Sequence, residues 1–512
     1  MDDYIETAST EETAPIRWIC EGAYSSRYRG LYFFWLALAG LISFGIYVGL
    51  KAKTWELATR AATIFGLLLC VIHFWYVTRS KPVNYLAPDL LFLAAYMMFH
   101  FGYLTLWLIG LAPPGVDIFP IPHLYPETMF IVNLGIIGFL FGYELAAKRM
   151  ENYEVCIIGV PSAAWTLLGL LLMVFSIAVF IAYVTLVGLD TFMAKGSAVV
   201  AHMDRYVADV RLWRLRSRIF ATGFGIYIVS VALRHGRLFK GKLGITLFAI
   251  YLVSLILEGG RTGVATVAIV PIVVRHYLIK PIKLRWLLAI AVCTLFVFTA
   301  MRVVRDITVF DVAKMVEEYE YAREAGEVRW YNIFAETGSS VRTINMTTSI
   351  VPGGQPYWRG WSYFQATVHI IPYLQGRLAH ILGAGPAKWL TYTIKGLDAG
   401  GLGFSIAGEG YLNFGLIGVF FHMFFLGVLL RRIYIWFASS LSASRSLVFF
   451  VSLGLFVILT RNHVDLLFQP LVQTIVLAWL LRRLLGEKQL LLSDLEYDRD
   501  TTEAHPAGLS SL

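Results

Sequence analysis

The stretch AAWTLLGLLLMVFSIAVFIAYVTLVG, residues 163–188, decides the fold class, because it runs for 26 residues without an Asp, Glu, Lys, Arg or His. At about 1.5 Å per helical residue, roughly 20 apolar residues cross the hydrocarbon core of a bilayer. Comparable runs recur on both sides of it, near 31–50, 61–77, 87–112, 127–146, 219–234, 243–257, 263–279, 286–304, 411–430, 446–460 and 467–481, so the sequence predicts 12 spanning helices. Composition agrees: 58% of the 512 residues are hydrophobic and 15% charged, against about 25% charged in soluble proteins. The expected class is an all-α polytopic membrane protein. Segments 1–30 and 485–512 read as polar tails, 31–304 as spans one to nine, 305–410 as one large loop and 411–484 as the last three spans.

Lysine and arginine orient these spans. With the N-terminus inside, sixteen basic residues fall at cytoplasmic connections, including Arg79, Lys148, Arg237, Lys240, Arg275, Lys280, Lys283, Arg285, Arg431 and Arg482; only Lys51, Lys53, Arg60, Arg261 and Arg461 fall at short outside ones. The positive-inside bias therefore places both termini in the cytoplasm and the long connections 189–218 and 305–410 outside. The first 30 residues carry Asp2, Asp3, Glu6, Glu11 and Glu12 with no apolar core, unlike a signal peptide. The net charge of +9 is used up by topology, and nucleic acid is not an expected partner. Cys20, Cys70, Cys156 and Cys293 have no metal-ligand spacing. No P-loop or HExxH occurs, and the acidic triplet Asp498–Asp500 lies in the C-terminal tail. Neither a metal nor a cofactor is expected.

Arginines on the outer side run against this bias, so each is a functional hypothesis. In YVADVRLWRLRSR, 206–218, Arg211, Arg214 and Arg218 follow at i, i+3 and i+7 on one helical face. Arg261 sits in EGGRTG, 258–263, read as a tight glycine turn; Arg302 and Arg305 end the ninth span; Arg461 opens the turn TRNH. Such a set suits a diphosphate. The alternative is that they reach lipid headgroups or pair with Asp204, Asp209, Glu258 and Asp465.

The loop 305–410 holds the other signals. VFDVAKMVEEYEYAREA, 309–325, reads as a surface amphipathic helix whose Glu317, Glu318 and Glu320 form a solvated face. Tyr357, Trp358, Arg359, Trp361 and Tyr363, with Tyr411 further on, offer the aromatic and polar groups of a glycan site, although such rings also mark membrane interfaces. Glu409, between Gly408 and Gly410 at the mouth of the tenth span, is a candidate general base or a helix N-terminal acid. His463 and His369 are further candidates.

GGRTG at 259–263, GWSY at 360–363 followed by Pro372, and GEGYLNFGLIG at 408–418 resemble the O-antigen polymerase family, the Wzy-type repeat-unit polymerases. The resemblance implies a GT-C-like architecture in the bacterial inner membrane and glycosyl transfer at its periplasmic face. Donor and acceptor would both be oligosaccharides linked to undecaprenyl diphosphate, feeding O-antigen or exopolysaccharide synthesis, with a flippase and a chain-length regulator as partners. On that reading Arg261, Arg461 and the Arg211, Arg214, Arg218 face hold the leaving diphosphate, Glu409 or, second, His463 activates the acceptor hydroxyl, and the aromatic loop positions the glycan. An O-antigen ligase would share the donor site, and a flippase would instead line a path through the spans with charge.

Overall fold

The computed structural model describes residues 29–51, 54–79, 84–112, 119–147, 157–187, 207–257, 261–306, 316–317, 320, 329, 331–371, 374–396 and 402–491. The apolar runs form helices α1 Arg29–Lys51, α2 Trp55–Thr78, α3 Pro88–Leu108, α4 Tyr125–Leu145, α5 Ala163–Val187, α6 Val207–His235, α7 Gly241–Leu257, α8 Arg261–Val274 and α9 Leu284–Asp306. Five short helices follow: α10 Asn332–Gly338, α11 Val341–Ile350, α12 Trp361–His369, α13 Leu374–Leu382 and α14 Pro386–Lys395. The chain returns to long helices with α15 Ile406–Ala438, α16 Ala443–Leu459 and α17 Asp465–Leu485. Their starts are chemically marked. Thr54 accepts a hydrogen bond from the Leu57 amide, Ser442 one from the Arg445 amide, and Pro88 occupies the first turn of α3, where a missing N–H costs nothing.

All twelve expected spans fall on helices, and seven helices among the described residues are long and apolar enough to cross a membrane: α1 to α5, α15 and α17. Shorter apolar helices cover Gly241–Ile256, Val267–Ile279, Leu284–Phe298 and Ala443–Leu459. The expected segment 219–234 differs most. It is the second half of the 29-residue α6, so the stretch 207–218, expected as connecting chain, is helical and continuous with it.

Because lipid is as apolar as a leucine side chain, helices in a membrane associate through close packing of small residues. The α4–α15 contact shows it. A methyl group added at Gly138 would lie 2.6 Å from the Phe420 carbonyl oxygen, and Gly142 and Gly427 meet the facing backbones of Phe424 and Phe139 equally closely. Helices α5 and α6 do the same at Gly169 and Gly223. Large outward side chains such as Phe34, Leu41, Ile417 and Leu484 are 65%, 70%, 72% and 78% exposed, as a lipid-facing surface requires.

Two features define the ends of the bundle. At one end, β1 Ile157–Pro161 pairs in parallel with β2 Ser440–Ser442 and antiparallel with β3 Glu487–Leu491. This small sheet joins the chain after α4, α15 and α17, so those three helix ends share one side. At the other end, the region 331–396 packs onto the bundle instead of hanging from it: a methyl at Gly102 of α3 would lie 2.6 Å from the Phe334 carbonyl oxygen of α10. Asn345 of α11 donates to the Ile121 carbonyl and to Thr128 Oγ1 of α4.

Candidate active site

The site begins with a break in a helix. Residues Phe414 (φ −143°, ψ 22°) and Gly415 (φ 64°, ψ −149°) interrupt α15 after its first two turns. The left-handed φ suits glycine, and a side chain at 415 would press on Tyr357 Oη at 3.0 Å. Past the break the chain folds so closely on itself that a methyl at Gly410 would lie 2.8 Å from the Val419 Cα. An interruption at membrane depth frees backbone carbonyls, which must find donors. They find them in the segment before α12. The Trp358 amide donates to the Leu412 carbonyl at 2.9 Å, the Arg359 amide to the Asn413 carbonyl at 3.0 Å, and the Gly360 amide to Asn413 Oδ1 at 3.0 Å. Arg359 and Gly360 both adopt positive φ, 51° and 91°, to present these amides.

Side chains complete the clasp. Ser362 Oγ donates to Glu409 Oε1 at 2.6 Å and accepts from Asn413 Nδ2 at 2.8 Å, while Asn413 Nδ2 also reaches the Glu409 carbonyl at 2.9 Å. The second carboxylate oxygen, Glu409 Oε2, accepts from the Val464 amide at 2.7 Å. Glu409 is thus fully buried, with both oxygens engaged. At the mouth of α15 this carboxylate ties α12, α15 and the Arg461–Asp465 turn together.

That turn presents the reactive groups. Between α12, α14 and the head of α17 lies a cleft of about 390 Å³, lined by His369, Gly385, Lys388, Tyr392, His463 and Asp465 among others. Asp465 Oδ2 is 2.9 Å from His369 Nδ1 and 3.9 Å from His463 Nε2. The shorter approach makes no aligned hydrogen bond, and His369 Nδ1, His463 Nδ1 and Asp465 Oδ1 are all buried without hydrogen-bond partners. Burial holds the His463 imidazole below its ordinary range; Asp465 opposes this and His369 reinforces it. His463 is therefore neutral near pH 7, the form that can accept a proton. Gly385 keeps the cleft open over it, since a methyl there would sit 3.7 Å from His463 Nε2.

Two apolar grooves flank α17 below this cleft. One, about 290 Å³, is walled by Tyr363, Phe414, Phe421, Phe425, Val464 and Phe468. The other, about 270 Å³, opens between α6, α8, α16 and α17, with Pro470, Gln473, Thr474 and Leu477 on the opposite face of α17 and Arg218 at its edge. Positions 464 and 468 share one face of the helix, and 470, 473, 474 and 477 another.

The model of the O-antigen polysaccharide polymerase Wzy family matches residues 31–488, nearly the whole chain. The protein belongs to that family. No curated protein and no solved structure matches it. The family's description names polymerisation of O-antigen polysaccharide, a glycosyl-transferring activity, and the apolar helices make this Wzy-family chain a multi-pass membrane protein.

The Wzy-family chain brings some expected site residues together and separates others. Glu409, Tyr411, Tyr357, Trp358, Arg359, Trp361, Tyr363, Arg461 and His463 converge at the clasp and the adjoining turn. Several of the aromatic residues brace it: Tyr411 Oη donates to Glu127 Oε1, Tyr357 stacks edge-on against Tyr411, Trp358 against Trp389, and Trp361 Nε1 donates to the Leu382 carbonyl. Tyr363 Oη meets His422 Nδ1 at 3.0 Å beside the first groove. Arg461 lies over the Phe99 ring and beside Gly403. Arg218 belongs to the second groove. Arg261, expected in a tight turn, is instead the first residue of α8. Arg211 and Arg214 lie on the backbone of α6, and Arg302 and Arg305 on that of α9; the side chains of these four and of Arg261 fall outside the described residues, as does most of 309–325. Sequence reading missed Ser362, Asn413 and Lys388. The first two stood inside the quoted motifs, as polar residues amid glycine and aromatics, and that was their signal.

Proposed function

We propose that the His369–Asp465–His463 cleft is where this Wzy-family chain joins oligosaccharide repeat units carried on undecaprenyl diphosphate, at the periplasmic face of the bacterial inner membrane. The observation that carries the reading is one helix, α17, with this polar cluster at its head and an apolar groove on each side of its stem. A polymerase must seat two lipid-linked substrates at one reactive centre. A flippase needs no proton-accepting histidine and no leaving-group site.

In this reading the glycan ends of both substrates meet in the cleft. The neutral imidazole of His463, beside Asp465 and His369, takes the proton of the acceptor hydroxyl. The hydroxyl oxygen bonds to the anomeric carbon of the growing chain, and the bond from that carbon to the lipid diphosphate breaks. The electron pair and the negative charge leave with the diphosphate. Fixed cations must stabilise that charge: Lys388 lines the cleft, Arg218 edges the second groove, and Arg461, Arg211, Arg214, Arg261, Arg302 and Arg305 are the further set proposed from the sequence. Glu409 acts as a positioning residue, holding the turn that carries His463. The sixteen basic residues favour cytoplasmic termini, with the sheet on that side. A flippase would supply the substrate, and a chain-length regulator would set when transfer stops.

The test is a gene deletion complemented with plasmid variants, reading surface polysaccharide on a gel. Wild type should restore long chains. His463→Ala and Asp465→Asn, present in the membrane at wild-type level, should leave single repeat units on lipid or core. Long chains restored by either variant would remove the cleft from the reaction, and long chains in the uncomplemented deletion would remove polymerisation from this chain.

A further inference from the structure

At the bundle end opposite the cleft, α8 does not stop where its apolar run stops. It tightens into a π-turn, Arg275–Ile279, in which the Lys280 amide reaches back to the Arg275 carbonyl at 2.7 Å. The turn is anchored from beneath. His276, buried to 1% exposure, contacts Asn84 Oδ1 through Nε2 at 3.0 Å and accepts the Ile282 amide on Nδ1 at 3.0 Å. Tyr277 Oη donates to the Leu86 carbonyl at 3.0 Å. The following residues KPIKLRW, 280–286, are therefore held in place by a core they do not join.

Over this turn lies a cavity of about 440 Å³ with two kinds of wall. Leu238, Pro271, Ile272, Ile282, Trp286 and Ile290 make an apolar floor, and Arg275, Lys280, Lys283 and Arg285 ring it. No Asp or Glu occurs between Arg261 and Arg305. None of the four cations pairs with a carboxylate among the described residues. Leu238 comes from the connection RHGRLFKGK, 234–242, which adds Arg237, Lys240 and Lys242 to the same neighbourhood and is also free of acid. Trp286 is 59% exposed, and it continues the floor into the outward apolar surface of α9 that Leu288, Val292 and Phe296 form.

We infer that this cavity binds an anionic phospholipid of the leaflet at the sheet end. Its phosphate would be taken by Arg275, Lys280, Lys283 and Arg285, and the start of its acyl chains would lie on Trp286, Ile290 and Pro271. Unneutralised cations draw an anion, and basic pockets between spanning helices on one side of a membrane suit lipid phosphates. The apolar floor excludes a fully hydrated ion as the better occupant, because a free phosphate leaves that surface unsatisfied while a lipid covers it. Such a lipid would pin α8 to α9 and the 234–242 connection at a place remote from the cleft, and the inference stands independently of what the cleft does.

The test uses the full chain purified in a neutral detergent, with phosphatidylglycerol, phosphatidylcholine and inorganic phosphate as separate probes. Native mass spectrometry and thermal unfolding read binding. Phosphatidylglycerol should be retained and should raise the unfolding midpoint; phosphatidylcholine and phosphate should do neither. The combined variant K280Q, K283Q, R285Q should bind phosphatidylglycerol roughly a hundred-fold more weakly, at about five-fold for each cation lost near the surface. The charge-keeping variant K280R, K283R should bind as wild type does, which separates loss of charge from loss of fold. Equal binding by the neutralised variant would overturn the site. An equal response to phosphatidylcholine would make it an apolar groove only, and an equal response to inorganic phosphate would make it an ion site; either result overturns the lipid assignment.

Discussion

Histidines next to aspartates occur at both ends of this bundle, and they are held in opposite ways. At the sheet end His73 is 1% exposed; its Nδ1 meets Tyr32 Oη at 2.5 Å and its Nε2 meets Asp89 Oδ2 at 2.8 Å. Both ring nitrogens are committed, and Tyr32 stacks on Tyr76 above them. At the opposite end His463 and His369 face a cleft, share one carboxylate at unequal distances, and keep His463 Nδ1 and Asp465 Oδ1 unpartnered. A buried histidine with both ring nitrogens engaged specifies packing, even though Asp89 Oδ1 beside it has no partner. An unsatisfied one bordering a cleft is poised for a further partner. The difference separates structural histidines from reactive ones without reference to their sequence neighbours.

The largest effects follow from removing that distinction at either end. His463→Ala should lower polymer formation by about a hundred-fold or more, the usual scale for losing a general base, while the unfolding midpoint in detergent stays near wild type; a parallel fall in both would make His463 structural. His73→Ala should do the reverse, leaving Tyr32 Oη and Asp89 Oδ2 buried without their partner at about 1–3 kcal/mol each, seen as protease sensitivity of the purified chain. Protein that stays fully stable would mean that the Tyr32–His73–Asp89 network carries little of the fold. Ser362→Ala should have the smaller, intermediate signature. It leaves Glu409 Oε1 buried without its donor, a loss of about 1–3 kcal/mol, and it should slow polymerisation only as far as the turn loosens, with polymer restored by Ser362→Thr.

Acidity offers the finest discrimination. The His463 side chain is held below the ordinary histidine value, so its neutral, proton-accepting form persists as pH falls through about 6.5. Polymerisation in vesicles should therefore be retained at pH 6.5 and fail only at lower pH. Failure already above pH 6.5 would assign the proton transfer to another group.

Much of the architecture was legible in the chain itself. Runs such as 163–188 have one stable form in lipid, a helix whose backbone bonds are all internal, so all twelve expected segments came out helical. The i, i+3, i+7 spacing of Arg211, Arg214 and Arg218 gives one helical face, but nothing within the spacing says that this helix is continuous with the apolar run that follows it, as α6 is. The site was half legible. GWSY and GEGYLNFG stood out by their glycines, and Glu409 stood out as an acid among them. Its role did not, because nothing local says that Ser362 and the Val464 amide occupy both of its oxygens.

Sequence alone therefore determined the solvent, the helices, the family resemblance and the segments that matter, since each depends on composition or on spacing within one helix. Tertiary structure decided which acid was enclosed and which was available. Asp465 could equally have answered Arg461, one turn before it, and it faces His369 at the end of α12 instead. It also decided that α17 has a groove on each face, because a groove exists only where the side chains of several distant helices fail to meet. Hydrogen-bond satisfaction and empty volume are properties of the packed chain, and no window of sequence contains them.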